Sequence, residues 1–252
     1  MIFYFSSTGN SAYVARIIKK RLDDRCIDMA KALKEGAFDY TLSDNERLGF
    51  VFPVYFGGLP TIVERFIKSL RVQTANTYYA YTVLTCGIMT GNAGRLLARA
   101  LLRQGLTLSA EFAVQCINND AILVNIPEGE ARDDIEYKMQ LMTEQAAEAI
   151  AERQTGLRHR LKGVFASANS FFMQPVYKIM RQTRHFRLSD TCSGCGLCAQ
   201  LCPDSAITMD GNKPHWTAKE CALCLGCLHR CPQKAINYGK LTQHRTRYKC
   251  RL

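Results

Sequence analysis

No apolar run in the 252-residue sequence approaches the roughly 18 residues that a membrane helix requires, so no span is expected. Ile2–Phe5 has no basic flank before it and no small-residue cleavage site after it, which argues against a secretory leader and predicts a cytoplasmic chain. The histidines His159, His185, His215, His229 and His244 form no i, i+4 pair and no H-E-x-x-H, so a histidine metal site is not expected. There is no G-x-G-x-x-G and no GK[ST], which excludes the two commonest glycine-rich nucleotide loops. Acidic residues are scarce in one half only: Arg153–Leu252 carry 17 Lys+Arg against 4 Asp+Glu, whereas residues 1–152 are nearly balanced. No nucleic-acid module accompanies this basic half, so nucleic acid is not an expected partner.

Cysteine is what the sequence has in excess. Of 12, eight fall in two units, Cys192-x2-Cys195-x2-Cys198-x3-Cys202-Pro203 and Cys221-x2-Cys224-x2-Cys227-x3-Cys231-Pro232, which repeat with a period of 29. Structural zinc takes two C-x2-C knuckles and closes with four ligands, which leaves half of this pattern unexplained. Two complete runs of four with a following proline match the two-cluster [4Fe-4S] run of bacterial ferredoxins. Gly194, Gly196 and Gly226 allow loops tight enough for thiolates three apart to converge on one cluster. Cys26, Cys86, Cys116 and Cys250 read as incidental thiols, with Cys86 alone on a loop near a ligand.

The first 150 residues alternate strand-like apolar runs with helical patterns, which predicts a parallel sheet covered by helices. Strands are expected at 2–6, 26–29, 48–53, 80–86 and 111–116, and helices at 10–22, 60–70, 91–104 and 131–153. Five strands in a doubly wound α/β fold of order 2-1-3-4-5 place a ligand beyond the strand ends at the switch point. Three loops fall there. Ser6-Ser7-Thr8-Gly9-Asn10-Ser11 offers hydroxyls, amides and a helix N-terminus to a phosphate without a basic residue. Pro53-Val54-Tyr55-Phe56-Gly57 offers an aromatic face for a flat ring, and Thr85-Cys86-Gly87 with Gly91 and Asn92 suits a ring edge. Each loop alone is equally well an ordinary turn; their coincidence on three successive switch-point strands argues for a ligand.

The phosphate loop resembles that of flavodoxins. Together with Phe52–Pro60, Thr85–Gly87, both cysteine runs and Arg247-Tyr248, it makes the chain resemble the fused flavodoxin–ferredoxin family often called ferrodoxins. That resemblance implies FMN, two [4Fe-4S] clusters and low-potential electron transfer. It assigns Cys192, Cys195, Cys198 and Cys231 to one cluster and Cys202, Cys221, Cys224 and Cys227 to the other. It also implies three parts: a flavodoxin-like domain over 1–155, a basic aromatic linker over 156–182, and a small α+β ferredoxin-like domain with a basic tail over 183–252. Family members tend to carry a Met-Pro-x-Asn-Tyr-like segment after strand five, where this chain has Cys116-Ile117-Asn118-Asn119-Asp120. The basic excess reads as a face that steers an acidic redox partner protein, with peripheral membrane contact as a further use. Two other readings stay open: a flavin reductase acting directly on a quinone or enone, and a redox sensor in which the clusters control binding.

Overall fold

The computed structural model describes residues 1–74, 77–157, 161 and 166–252. The chain opens with β1 (Ile2–Tyr4), α1 (Asn10–Leu22), β2 (Cys26–Asp28), α2 (Met29–Glu35), β3 (Asp39–Thr41), β4 (Arg47–Pro53) and α3 (Thr61–Ser69). It continues through β5 (Arg71–Gln73), β6 (Tyr79–Cys86), α4 (Ala93–Leu102), β7 (Ala110–Gln115), α5 (Gly129–Ala151) and β8 (Gly156–Leu157). Six of these strands form one parallel sheet in the order β2-β1-β4-β6-β7-β8. Its first five strands reproduce the expected doubly wound order.

Two features depart from the expectation. β8 adds a sixth, two-residue strand at the edge beside β7, within the stretch read as the start of a linker. β3 and β5 pair in parallel as a separate two-stranded sheet, from segments too short to show periodicity. The rest of that expected linker contributes α6 (Ala166–Met180), while 158–160 and 162–165 lie outside the described residues.

Parallel strands covered on both faces read as continuous apolar runs, and β4 and β6 do. Phe3, Phe50, Phe52 and Leu84 face one layer, filled by Ile62, Val63, Phe66 and Ile67 of α3 and Leu97 of α4. Ile2, Val51, Val83 and Phe112 face the other, filled by Val14 and Ile18 of α1 and Met139 and Ile150 of α5.

The carboxy-terminal unit contains β9 (Phe186–Leu188), α7 (Leu197–Leu201), β10 (Ile207–Asp210), β11 (Lys213–Trp216), α8 (Gly226–His229) and β12 (Ile236–Tyr238). β10 and β11 form an antiparallel hairpin, and β12 pairs antiparallel with β9. The 29-residue period is also a backbone period. Gly194, Gly196 and Ser205 take positive φ (72°, 73° and 50°), and so do their counterparts Leu223, Leu225 and Lys234 (50°, 54° and 50°).

Gly49 in β4 leaves room for the Tyr81 ring, because a Cβ there would lie 2.5 Å from the Tyr81 Oη. That hydroxyl is buried and has no hydrogen-bond partner among the described residues. Urea titration should therefore show Gly49→Ala destabilised by about 1–3 kcal/mol through overpacking. Tyr81→Phe, which deletes an unpaired buried hydroxyl, is expected to be neutral or up to about 2 kcal/mol more stable.

Candidate functional site

Beyond the carboxyl ends of β1, β4, β6 and β7 lies a cavity of about 340 Å³, within the range of roughly 300–1,000 Å³ usual for small-molecule sites. Ser6, Ser7, Thr8, Asn10 and Ser11 line it from the first loop, Pro53 to Gly57 from the second, and Thr85, Cys86 and Gly87 from the third. Gly91 and Asn92, expected here, do not line it. The Asn92 amide donates to the Gly57 carbonyl at 2.8 Å and braces the second loop from behind. Gly9 is also absent from the lining, since a Cβ on it would meet the Cys250 Cβ at 2.7 Å on the side of the carboxy-terminal tail.

The first loop suits a phosphate dianion. Helix α1 begins after Gly9, whose φ of 114° only glycine adopts readily, and no side chain caps it. The amides of its first turn are thus left for an anion, in the positive field of the helix terminus. Hydroxyls of Ser6, Ser7, Thr8 and Ser11 converge on the same place, and no Lys or Arg is among the lining residues. Ser11 Oγ is held by Thr85 Oγ1 at 2.8 Å, which ties the first loop to the third.

The second loop is a tight turn. Tyr55 and Gly58 exchange backbone hydrogen bonds of 3.1 and 2.9 Å, and the central Phe56 and Gly57 both take positive φ (50° and 69°), the signature of a type I′ turn. An aromatic residue in the left-handed region is uncommon and costs roughly 1–3 kcal/mol. Here it lays the Phe56 ring on Tyr177 of α6, with centroids 5.1 Å apart and planes at 18°. Tyr55 stands edge-on to the same tyrosine.

The sequence reading missed the fourth wall. Cys116, Ile117, Asn118, Asn119 and Asp120, the segment that departs from the family pattern, all line the cavity. Asn119 Nδ2 donates to Thr8 Oγ1, so this segment braces the first loop. Burial pushes the Cys86 thiol up to about 12 and raises Cys116 further, so both are neutral thiols at pH 7 rather than nucleophiles.

The eight repeat cysteines separate into two cavities. Cys202, Cys221, Cys224 and Cys227 line one, and Cys192, Cys195, Cys198 and Cys231 line the other. A single zinc ion draws its sulfurs to about 2.3 Å from one point; thiols set around the wall of a cavity suit a polyatomic cluster better. Burial pushes the Cys221 thiol up to about 12 and raises Cys224 and Cys227 as well, so these sulfurs ionise readily only against a bound cation.

The first of these cavities touches the site beyond the sheet. Cys224 and Leu225 line both, and Leu223 lines the larger one. Where the first repeat has Gly194 and Gly196, the second has Leu223 and Leu225 at the same left-handed positions, and their side chains form the partition. A glycine-to-leucine substitution within the repeat is the sequence signal that marks this loop as a wall.

The two units are pinned along this line. His229 Nε2 donates to the Asn119 carbonyl at 2.7 Å, and its Nδ1 accepts from the Tyr248 amide at 3.2 Å. Burial holds this imidazole neutral, with its pKa lowered to about 4. Tyr248 is fully buried and donates to Asn10 Oδ1 at 2.6 Å, while the Cys250 amide donates to the Thr8 carbonyl at 2.8 Å. The basic tail is therefore not the solvated face that its charge suggested. Arg251 binds Glu136 with Nε and Nη2 at 3.0 and 2.6 Å, and the Arg132 guanidinium lies 4.9 Å from the Tyr248 ring centroid.

A flavodoxin domain family matches residues 1–113, and a 4Fe-4S dicluster domain family matches residues 185–250. The chain is a fused flavodoxin–ferredoxin protein. Its flavodoxin domain implies FMN and its dicluster domain implies 4Fe-4S clusters, so its role is electron transfer with a redox partner. Among solved structures, the flavodoxin of Streptococcus pneumonia TIGR4 is 20% identical, with 58% of this chain and 97% of that one covered and a TM-score of 0.31. The Trp repressor binding protein of Bacillus subtilis is 14% identical, with 59% and 96% covered and a TM-score of 0.35. No curated protein matches the chain. Among the described residues no helix is long and apolar enough to cross a membrane.

The Tyr248–Asn10 bond gives a direct test of the pinning. Tyr248→Phe and Asn10→Ala should each lower stability by about 1–3 kcal/mol. In a double-mutant cycle read by urea midpoint, the pair should cost clearly less than the sum of the singles.

Proposed function

We propose that the chain holds one FMN in the large cavity and one [4Fe-4S] cluster in each cysteine cavity, and relays single electrons between the flavin and a redox partner. The observation that carries this reading is the shared partition: Cys224 and Leu225 border both the switch-point cavity and one cysteine cavity. FMN exchanges one or two electrons and each cluster exchanges one, which is the redox chemistry these groups supply when bound. The chain's own residues do the rest. Ser6, Ser7, Thr8, Asn10 and Ser11, with the α1 amides behind Gly9, take the phosphate; Tyr55, Phe56, Gly57 and Thr85–Gly87 take the ring.

Cys202, Cys221, Cys224 and Cys227 hold the cluster next to the flavin, and Cys192, Cys195, Cys198 and Cys231 hold the farther one. Support for this order comes from the lining residues, because the second cysteine cavity shares none with the flavin cavity. Cys195 is exposed, so the far site lies near the surface. The division into 1–155, 156–182 and 183–252 fits this arrangement, with Tyr177 of the middle segment donating to the Ala222 carbonyl at 2.8 Å beside Cys221.

A second reading, direct reduction of a quinone or enone, is favoured by the cavity rim, where Ile88 and Leu123 are 66% and 52% exposed. Turnover of such an acceptor that survived loss of both clusters would support it over the relay.

Anaerobically purified wild type should contain one FMN and roughly eight irons per chain. Zinc in place of iron would refute the proposal. Cys195→Ala and Cys224→Ala should each hold roughly half the iron, four being one cluster's worth. Cys224→Ala alone should also alter the visible circular dichroism of the flavin, because only that residue borders its cavity.

A further inference from the structure

We propose that the groove between the Gln182–Arg187 segment and the Trp216–Glu220 segment is the docking site for an acidic one-electron carrier protein. The proposal rests on the relay reading above and adds the place where a partner engages it. Phe186 and Trp216 line this groove and also line the cavity of Cys202, Cys221, Cys224 and Cys227. Their rings stack with centroids 5.5 Å apart and planes at 7°. The wall between the open surface and the cysteine cavity is thus one aromatic pair. Trp216 is the only tryptophan in the chain.

The rim has the opposite charge to the occupant. Arg184, Arg187 and Lys219 are exposed on it, while its one carboxylate, Glu220, is taken by Arg181 at 3.0 Å. Arg187 is oriented by donating to the Phe186 carbonyl at 2.8 Å, so its fork is fixed beside the aromatic floor. A tryptophan floor with an arginine rim is the composition of a protein-binding hot spot, and fixed positive charge raises encounter rates with negative partners. The exchange passes one electron between this chain and the carrier's own iron–sulfur centre, and no bond or proton changes hands.

The test uses holoprotein with measured iron and FMN, and an acidic plant-type [2Fe-2S] ferredoxin as probe. Binding is read by calorimetry at low and high salt, and electron exchange by stopped flow. For Arg184→Glu with Arg187→Glu, the expected result is binding weakened and exchange slowed by about tenfold or more at low salt, with the difference shrinking at high salt. Trp216→Leu should leave the affinity within about twofold and slow exchange, which separates contact from conduction; an affinity lost with the same salt dependence as in the arginine variant would mark Trp216 as docking floor only and overturn the conduction part.

Fully loaded wild type that fails to bind the probe, or arginine variants that bind and exchange as wild type does, would overturn the groove while leaving the relay standing. Wild type without iron would overturn both. Loss of binding to phosphatidylglycerol vesicles, with ferredoxin binding unchanged, would give the groove to a membrane surface instead and overturn the proposal.

Discussion

Everything in this molecule depends on one contact between two loops, the second cysteine loop and the loop that follows β1. Electron exchange between two centres falls off steeply with separation, so a relay works only if its sites are held close and rigid. Gly226 sits against Ser7, where even a Cβ would come within 3.6 Å of the serine side chain. Around that point lie the His229–Asn119 and Asn119–Thr8 bonds, the Tyr248–Asn10 bond and the Tyr177–Ala222 bond. Each is buried or partly buried, where a deserted partner is costly. Collectively they turn two domains that are separable in principle into one body along this line.

The same line is where backbone strain collects. Phe56, Leu223 and Leu225 are non-glycine residues at positive φ, and all three line the large cavity. Left-handed leucines and phenylalanine cost roughly 1–3 kcal/mol each and persist only where the surroundings over-determine them. Their return is position: a side chain that a glycine could not supply now stands between two cavities. The stack of Phe56 on Tyr177 extends the packing to α6, which in turn reaches Cys221 through the Arg181 Nε donation to its carbonyl at 2.9 Å.

Much of this was legible before the coordinates, and the reason is locality. The cysteine spacing, the hydroxyl-rich loop and the strand–helix alternation are short-range patterns, and the fold and the grouping of eight thiols into two cavities followed them. What escaped was long-range. The Asn10–Tyr248 bond spans 238 positions, and nothing in a basic tail announces a buried tyrosine. Gly91 and Asn92 looked like ring contacts because they share a loop with Thr85–Gly87, yet the loop turns away before reaching them. β8 is two residues long, below the length at which alternation can be recognised. The segment after β7 looked like a mere departure from a family pattern; its physical sense is the bracing of Thr8 by Asn119 and of His229 by the Asn119 carbonyl.

The paired units of the repeat share a backbone but not a surface, and that inequality has a consequence for ancestry and redesign. A freshly duplicated module would present two interchangeable halves, each free to face either way. Once one half carries leucines where its twin keeps glycines, the module has a front and a back, and a half-turn about its internal symmetry axis would put small residues at the seam and bulky strained ones in water. Orientation is thereby written into two side chains, which makes the module polar in the sense that a plug is polar: it seats in one direction only.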